Sequence, residues 1–473
     1  HIVYLCQILL YLACCLSLAS PRLMFKGGSP MNETTDLDPS RLSDPDYEIP
    51  MAPRVALGMQ HVLAMFASNV TPSIIVAGAA GFAFGGADMV FLIQMAMLFA
   101  GVATLFQTIG FGPVGARLPV MQGTSFAFVP IMIGIVKSSG MAALMGSVVV
   151  AGLFHAALGT IIGRIRHWFP PLVSGMVITT IGLYLIPVGI KYAAGGAADF
   201  QMNNPAWGGF GSWGLALVVI FVALGCKFYT RGLTSSAAVL IGLVAGYVVG
   251  IATGAVNFGG IGKAAWFAIP MPFKYGIEFN MTAIIGMCLI SIVSAIETVG
   301  DISGIAKGGA GREATDKELA GGTYADGFGS AIAGVFGGLP NTSFSQNVGI
   351  VSMTGVMSRG VVTIGAIFLI ICGFVPKIGA VVAAMPISVL GGGVILMFGM
   401  VVSAGINMLA GVKWSRRNMM ILATSMSVGL GLQAVPKSMQ HLPDTLEMLA
   451  VSGLLPVAVL AVVMNLVLPE DAD

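Results

Sequence analysis

Apolar stretches of about twenty residues recur along almost the whole chain, and they choose its solvent before any other feature is considered. A helix crossing the hydrocarbon layer of a bilayer needs roughly 20 apolar residues. Fourteen such stretches are read as spans, near 55–80, 88–110, 119–137, 141–163, 171–192, 211–229, 235–254, 281–306, 318–338, 340–357, 360–384, 386–409, 417–433 and 449–468. Only 9% of the 473 residues are charged, against roughly 25% in a soluble domain. The chain cannot cover itself with polar surface, so the expectation is an all-α polytopic membrane protein with fourteen transmembrane segments. Its 65 glycines suit close helix packing in lipid.

The net charge of +2 implies no electrostatic partner, and no basic tract suggests nucleic acid. The distribution of charge says more. Arg164, Arg166, Lys227, Arg231, Lys307, Arg312, Lys317, Arg359, Lys413, Arg416 and Arg417 fall in alternate loops, and the intervening loops carry fewer cations. The positive-inside rule then puts both termini in the cytoplasm of a cell inner membrane. Cys226, Cys288 and Cys372 stand singly in apolar segments and read as buried free thiols, with no metal or disulfide spacing. Residues 1–50 are expected to be a lead outside the fold. The apolar first twenty residues lack the basic start of a signal peptide, so a start at Met24 or Met31 is preferred, and 28–50 reads as disordered.

One short word occurs twice. Thr124-Ser125-Phe126 lies in the third stretch and Thr342-Ser343-Phe344 in the tenth, 218 residues on. Gly175, Val177, Ile178 and Gly182 match Gly392, Val394, Ile395 and Gly399 at an offset of 217, and Gly189-Ile190 matches Gly405-Ile406 at 216. Seven spans per copy is odd, so the second copy enters the membrane upside down, as in secondary transporters. Both Thr-Ser-Phe segments are flanked by Pro and Gly (Pro119, Gly123, Pro130; Gly337, Gly338, Pro340) and read as short strands interrupting segments 3 and 10. Non-helical backbone at that depth survives where protein buries it or where it lines a cavity.

Acidic residues inside apolar spans cost roughly 2.5–3.5 kcal/mol on insertion scales, and Glu297, Asp301 and Asp326 are three of them. Glu297 and Asp301 are four apart and share a helix face. Each also admits a structural hydrogen bond to a neighbouring helix. His61 admits a proton relay or a packing hydrogen bond, and His155 and His167 look peripheral. The sharpest string runs from Gln346-Asn347 to Gly355, where two carboxamides open a half-helix and Gly349 allows close approach. Gln supplies donors and acceptors together, and the half-helix adds positive potential. Such a site suits a neutral or weakly anionic polar ring, with Glu297 accepting its N–H groups. A purine dione such as xanthine offers that alternation; a polar seam between helices is the other reading. No nucleophile–base or metal constellation suggests an enzyme.

Gln346 through Gly355 resembles the signature of the nucleobase–ascorbate transporter family, a Gln/Glu-Asn-x-Gly-x4-Thr pattern. The resemblance extends over about 51–468 and includes Gln60-His61, Glu297-x3-Asp301, Ala325-Asp326-Gly327 and Ser358-Arg359. It looks closest to the bacterial xanthine and urate permeases. What it implies is proton-coupled import of a purine without cofactor or metal, by fourteen spans in two inverted repeats of seven. Segments 1–4 (51–163) and 8–11 (281–384) would form a core domain. Segments 5–7 (171–254) and 12–14 (386–468) would form a gate that also makes a homodimer, with the core moving like an elevator.

By the same resemblance, Glu297 and Gln346 would hold the purine edge, with Ser345 and Phe126 beside it and Asn347 orienting the site. His61, Asp301 and Asp326 would support the core and share in coupling. Uracil carriers of the family tend to have Glu where this chain has Gln346, which makes uracil the alternative rather than the first choice. Many strict xanthine carriers have Asn where this chain has Ser125, which leaves room for urate. A sulfate-permease-like anion transporter shares the repeat plan, but Glu297 counts against it.

Overall fold

A computed structural model describes residues 38–165, 168, 170–196 and 204–469, and almost every element in it is a helix. The first half holds α1 (Met51–Ala79), α2 (Ala87–Thr108), strand β1 (Gln122–Thr124), α3 (Val129–Ser138), α4 (Gly140–Leu158), α5 (Pro171–Ala193), α6 (Phe210–Tyr229) and α7 (Ala238–Ala252). The second holds α8 (Met281–Ala310), α9 (Asp316–Val335), strand β2 (Asn341–Ser343), α10 (Ser345–Thr354), α11 (Arg359–Gly373), α12 (Pro376–Ala383), α13 (Ile387–Ala410), α14 (Arg416–Ala434), α15 (Asp444–Val451) and α16 (Leu454–Val467). Among the described residues, α1, α2, α4, α5, α6, α8 and α13 are long and apolar enough to cross a membrane. Helices α11 and α12 make an eighth if taken together. They were expected as one span near 360–384, but they meet at 83°. Pro376, which has no N–H to continue the helical ladder, starts the second of them.

Between α2 and α3, and between α9 and α10, the chain is not helical. Strands β1 and β2 pair antiparallel there, Gln122 opposite Ser343, Gly123 opposite Thr342 and Thr124 opposite Asn341. Their backbone groups thus find partners in each other, as buried backbone must. Gly123 is required at this crossing: a Cβ on it would lie 1.9 Å from the Phe344 ring. Asn69 of α1 fastens β1 from the side, its Oδ1 accepting the backbone N–H of Thr124 at 2.8 Å.

The helices pack as two sets. In one, α4 lies on α8 and α9, α2 on α9, α11 and α12, and α1 on α2, α11, β1 and the half-helix α10. In the other, α13 lies on α5, α6 and α7, and α16 on α5 and α14. Hydrophobicity does not draw helices together within lipid, so small residues and close backbones must do so. A Cβ on Gly327 of α9 would lie 2.2 Å from the Ala156 backbone nitrogen of α4, and one on Gly391 of α13 would lie 2.1 Å from that of Ala193 of α5.

Residues 38–50, expected as a disordered lead, are packed instead. A 3-10 turn at Pro39–Arg41 leads into a strap whose Tyr47 and Ile49 are buried with Val356 and Val361. The backbone N–H of Met357 donates to Leu42 (2.8 Å), that of Arg359 to Pro45 (3.0 Å), and the Ser358 hydroxyl to Tyr47 (2.7 Å). The buried apolar partners of Tyr47 and Ile49 lie some three hundred residues away, which is why local composition read as disorder. Residues 1–37 and His167 lie outside the described residues.

Candidate functional site

Helix α8 and half-helix α10 lie side by side because glycines remove the side chains between them. A Cβ on Gly304 would sit 2.8 Å from Val348, and one on Gly308 would sit 2.0 Å from the Ser352 hydroxyl. Asp301 joins the two elements: its carboxylate accepts the hydroxyls of Ser343 at 2.6 Å and Ser345 at 2.7 Å. Glu297 stands one turn back along α8, and Gln346 follows Ser345 at the start of α10. Both side chains are half-buried. Neither makes a hydrogen bond or ion pair to any described residue. A carboxylate and a carboxamide are therefore held within a turn of the same anchor, both accessible and both with their hydrogen-bonding capacity unspent.

The other predicted residues divide around this pair. Asn347 is buried and its amide donates to the ring Nδ1 and the backbone carbonyl of His61, each at 3.0 Å. His61 thereby ties α1 to α10. Asp326 is fully buried and accepts Gln107 at 2.8 Å, Gln122 at 2.6 Å and the hydroxyl of Thr298, which in turn lies 3.5 Å from the Ser343 hydroxyl that Asp301 holds. Ser125 is fully buried, its N–H on the Pro340 carbonyl at 2.9 Å and its hydroxyl without a partner. Phe126 is buried edge-on against Phe398 of α13, with ring centroids 5.4 Å apart, and so bridges the two helix sets. Gly349 is exposed, and a Cβ there would meet no protein atom within 4 Å. His155 was expected at the periphery, and it is buried in α4.

Sequence reasoning followed carboxylates and missed the neutral groups that hold them. Gln107 donates to Asp326 and to the Gly322 carbonyl while accepting the N–H of Ala116, joining α2, α9 and the approach to β1 in one side chain. Asn69, Gln107 and Gln122 are uncharged amides in apolar stretches, and that was the available signal. A cavity of about 1680 Å³ lies elsewhere. It opens between the two helix sets beyond the C-terminal half of α1, with Lys137 and Tyr184 on facing walls, and neither Glu297 nor Gln346 lines it.

Residues 54–438 match the permease family. The uric acid transporter UacT of Escherichia coli is 38% identical over 87% of this chain and 85% of its own length. The xanthine permease of Bacillus subtilis is 34% identical over 87% of this chain and 93% of its own. The chain belongs to this permease family. The permease is accordingly a multi-pass membrane transporter, not an enzyme. Its fold resembles that of the transmembrane domain of a cyanobacterial bicarbonate transporter, BicA, with a TM-score of 0.57 and 15% identity over 88% of this chain and 98% of that one. At that identity the likeness concerns the architecture alone.

Proposed function

We propose that the permease imports a purine, xanthine or urate or both, together with a proton. The observation that carries this reading is the accessible, unpartnered pair Glu297 and Gln346. A carboxylate accepts the N–H groups of a purine dione, and a carboxamide answers adjacent N–H and C=O groups. The named substrates of the relatives, uric acid and xanthine, are molecules of that chemistry. Ser345, Asn347, Ser125 and Phe126 complete the site in this reading, while His61, Asp301 and Asp326 hold it and share in coupling.

Transport follows an elevator in which α1–α4 and α8–α12 form the moving core (51–163 and 281–384). Helices α5–α7 and α13–α16 form the gate (171–254 and 386–468), which also makes a homodimer. The two packing sets support the division. The fourteen-segment inverted repeat is supported by the glycine words crossing antiparallel: a Cβ on Gly175 would lie 3.1 Å from the Gly405 carbonyl, and one on Gly182 would lie 2.8 Å from that of Phe398. The alternation of basic loops supports an inner-membrane protein with both termini cytoplasmic.

The test is uptake of labelled xanthine by cells making the permease, challenged with urate, uracil, hypoxanthine and ascorbate, with and without a protonophore. Uptake competed by urate and abolished by the protonophore is expected. Competition led by uracil or ascorbate would overturn the substrate assignment, and indifference to the protonophore would overturn proton coupling.

A further inference from the structure

Where the strap from Pro45 to Glu48 crosses the ends of α2 and α11, it leaves a cavity of about 470 Å³. That volume is within the roughly 300–1,000 Å³ common for small-ligand sites. Two arginines line it. Arg359 is occupied, its Nε on Asp46 at 2.6 Å and its Nη1 on the carbonyls of Thr108 (2.8 Å) and Ile109 (3.3 Å). Arg54 is not. Its guanidinium lies over the first turn of α11, where a Cβ on Gly360 would be 3.6 Å away. Its Nε is buried without an acceptor, and it makes no ion pair with any described residue. Glu48 lines the same cavity, is exposed, and likewise has no partner among the described residues. One free cation and one free anion thus share a cavity without pairing with each other.

The surroundings are amphiphilic. Thr363 lines the cavity, and Ile367 and Ile371 follow at four-residue steps on the same face of α11, 45% and 57% exposed. Ile109, which lines the cavity, and Met51 and Val55 on the first turns of α1 are exposed apolar side chains. A doubly charged polar cavity therefore opens onto an apolar stripe along a membrane helix. Arg54, with its Nε buried and without an acceptor, is costly to leave unpaired. Its Nη groups, without a partner among the described residues, suit a phosphate oxygen. A purely anionic headgroup would leave Glu48 facing a like charge. A headgroup carrying phosphate and ammonium satisfies both ends.

We infer that this cavity binds a zwitterionic aminophospholipid, its phosphate on Arg54, its ammonium against Glu48 and its acyl chains along the Ile367–Ile371 stripe. The purified full-length permease is melted in detergent with added phosphatidylethanolamine, phosphatidylglycerol, soluble glycerophosphoethanolamine or inorganic phosphate, and native mass spectrometry counts bound lipid. Phosphatidylethanolamine is expected to raise the melting temperature more than phosphatidylglycerol does. R54Q should weaken phosphatidylethanolamine binding by about tenfold or more, the scale of one charge-assisted hydrogen bond. E48Q should abolish the preference between the two lipids.

Equal shifts by both lipids in the unmodified protein, or an undiminished shift in R54Q, overturn the inference. A full shift from glycerophosphoethanolamine alone or from phosphate alone overturns the lipid as occupant. If R54Q fails to fold, E48Q decides, because Glu48 is exposed and its loss breaks no contact: a preference for phosphatidylethanolamine that survives E48Q refutes the site.

Discussion

Replacing Glu297 by glutamine separates recognition from folding. The side chain makes no hydrogen bond or ion pair to any described residue, so the isosteric change removes a charge and no protein contact. No hydrogen-bond partner is lost, and a carboxylate close to Asp301 and Asp326 is removed, so folding stability should not fall. Binding should. A hydrogen bond to a charged group contributes roughly 1.5–3 kcal/mol, and each 1.4 kcal/mol is about a factor of ten. Xanthine affinity is thus expected to fall by about ten- to a hundredfold while the melting temperature holds. Titration calorimetry on purified protein reads the first quantity and thermal melting of the same sample reads the second. Unchanged affinity in a variant that melts normally would remove Glu297 from the substrate site. A large loss of melting temperature would instead make it a structural residue and refute the reasoning from its missing partners.

Asp326→Asn should show the opposite pattern. Asparagine can turn its carbonyl to Gln107 and Gln122, which share one carboxylate oxygen. Its NH2 then faces the Thr298 hydroxyl that donated to the other oxygen, and the charge-assisted acceptor is lost, which should cost about 1–3 kcal/mol of stability; an unshifted thermal melt contradicts this. Gly123→Val forces a side chain into the Phe344 ring where β1 crosses β2, and overpacking of this kind costs typically 1–3 kcal/mol, read as a lowered melting temperature. Ser125→Asn should lower urate uptake relative to xanthine uptake, by no more than the roughly 1–3 kcal/mol that bulk alone supplies in a pocket. If the uptake ratio of the two purines does not move, Ser125 lies outside the specificity pocket.

Among the described residues, seven of the fourteen expected stretches match helices long and apolar enough to cross a membrane, and an eighth is the bent pair α11 and α12. These were legible because a spanning helix needs a long apolar run. The non-helical stretches were legible because Pro and Gly flank Thr-Ser-Phe twice. The bend between α11 and α12 was not anticipated, since the hydropathy of 360–384 is continuous across Pro376. The strap at 38–50 was misread for a different reason: its polar composition suggests disorder, and the fully packed part of the cluster that buries Tyr47 and Ile49, Val356 and Val361, is distant in sequence. Within the site, carboxylates announce themselves in an apolar span, whereas the division between Asp301, bonded to two hydroxyls, and Glu297, bonded to none, depends on β2 arriving beside α8. No local pattern encodes that.

The pairing of β1 with β2 also sets an order of assembly. Gly123 and its partner Thr342 are some 220 residues apart. At roughly 5–20 residues per second, synthesis of the intervening chain occupies on the order of 10–40 s. Throughout that interval the N–H and C=O groups of 122–124 have no strand to meet, and within a bilayer each unsatisfied group costs several kcal/mol. The first half of the permease must therefore wait, with β1 held near water or by a helper protein, until the second half has entered. Premature termination anywhere before residue 341 should leave an inserted fragment recognised by quality-control proteases, however well its first helices have packed.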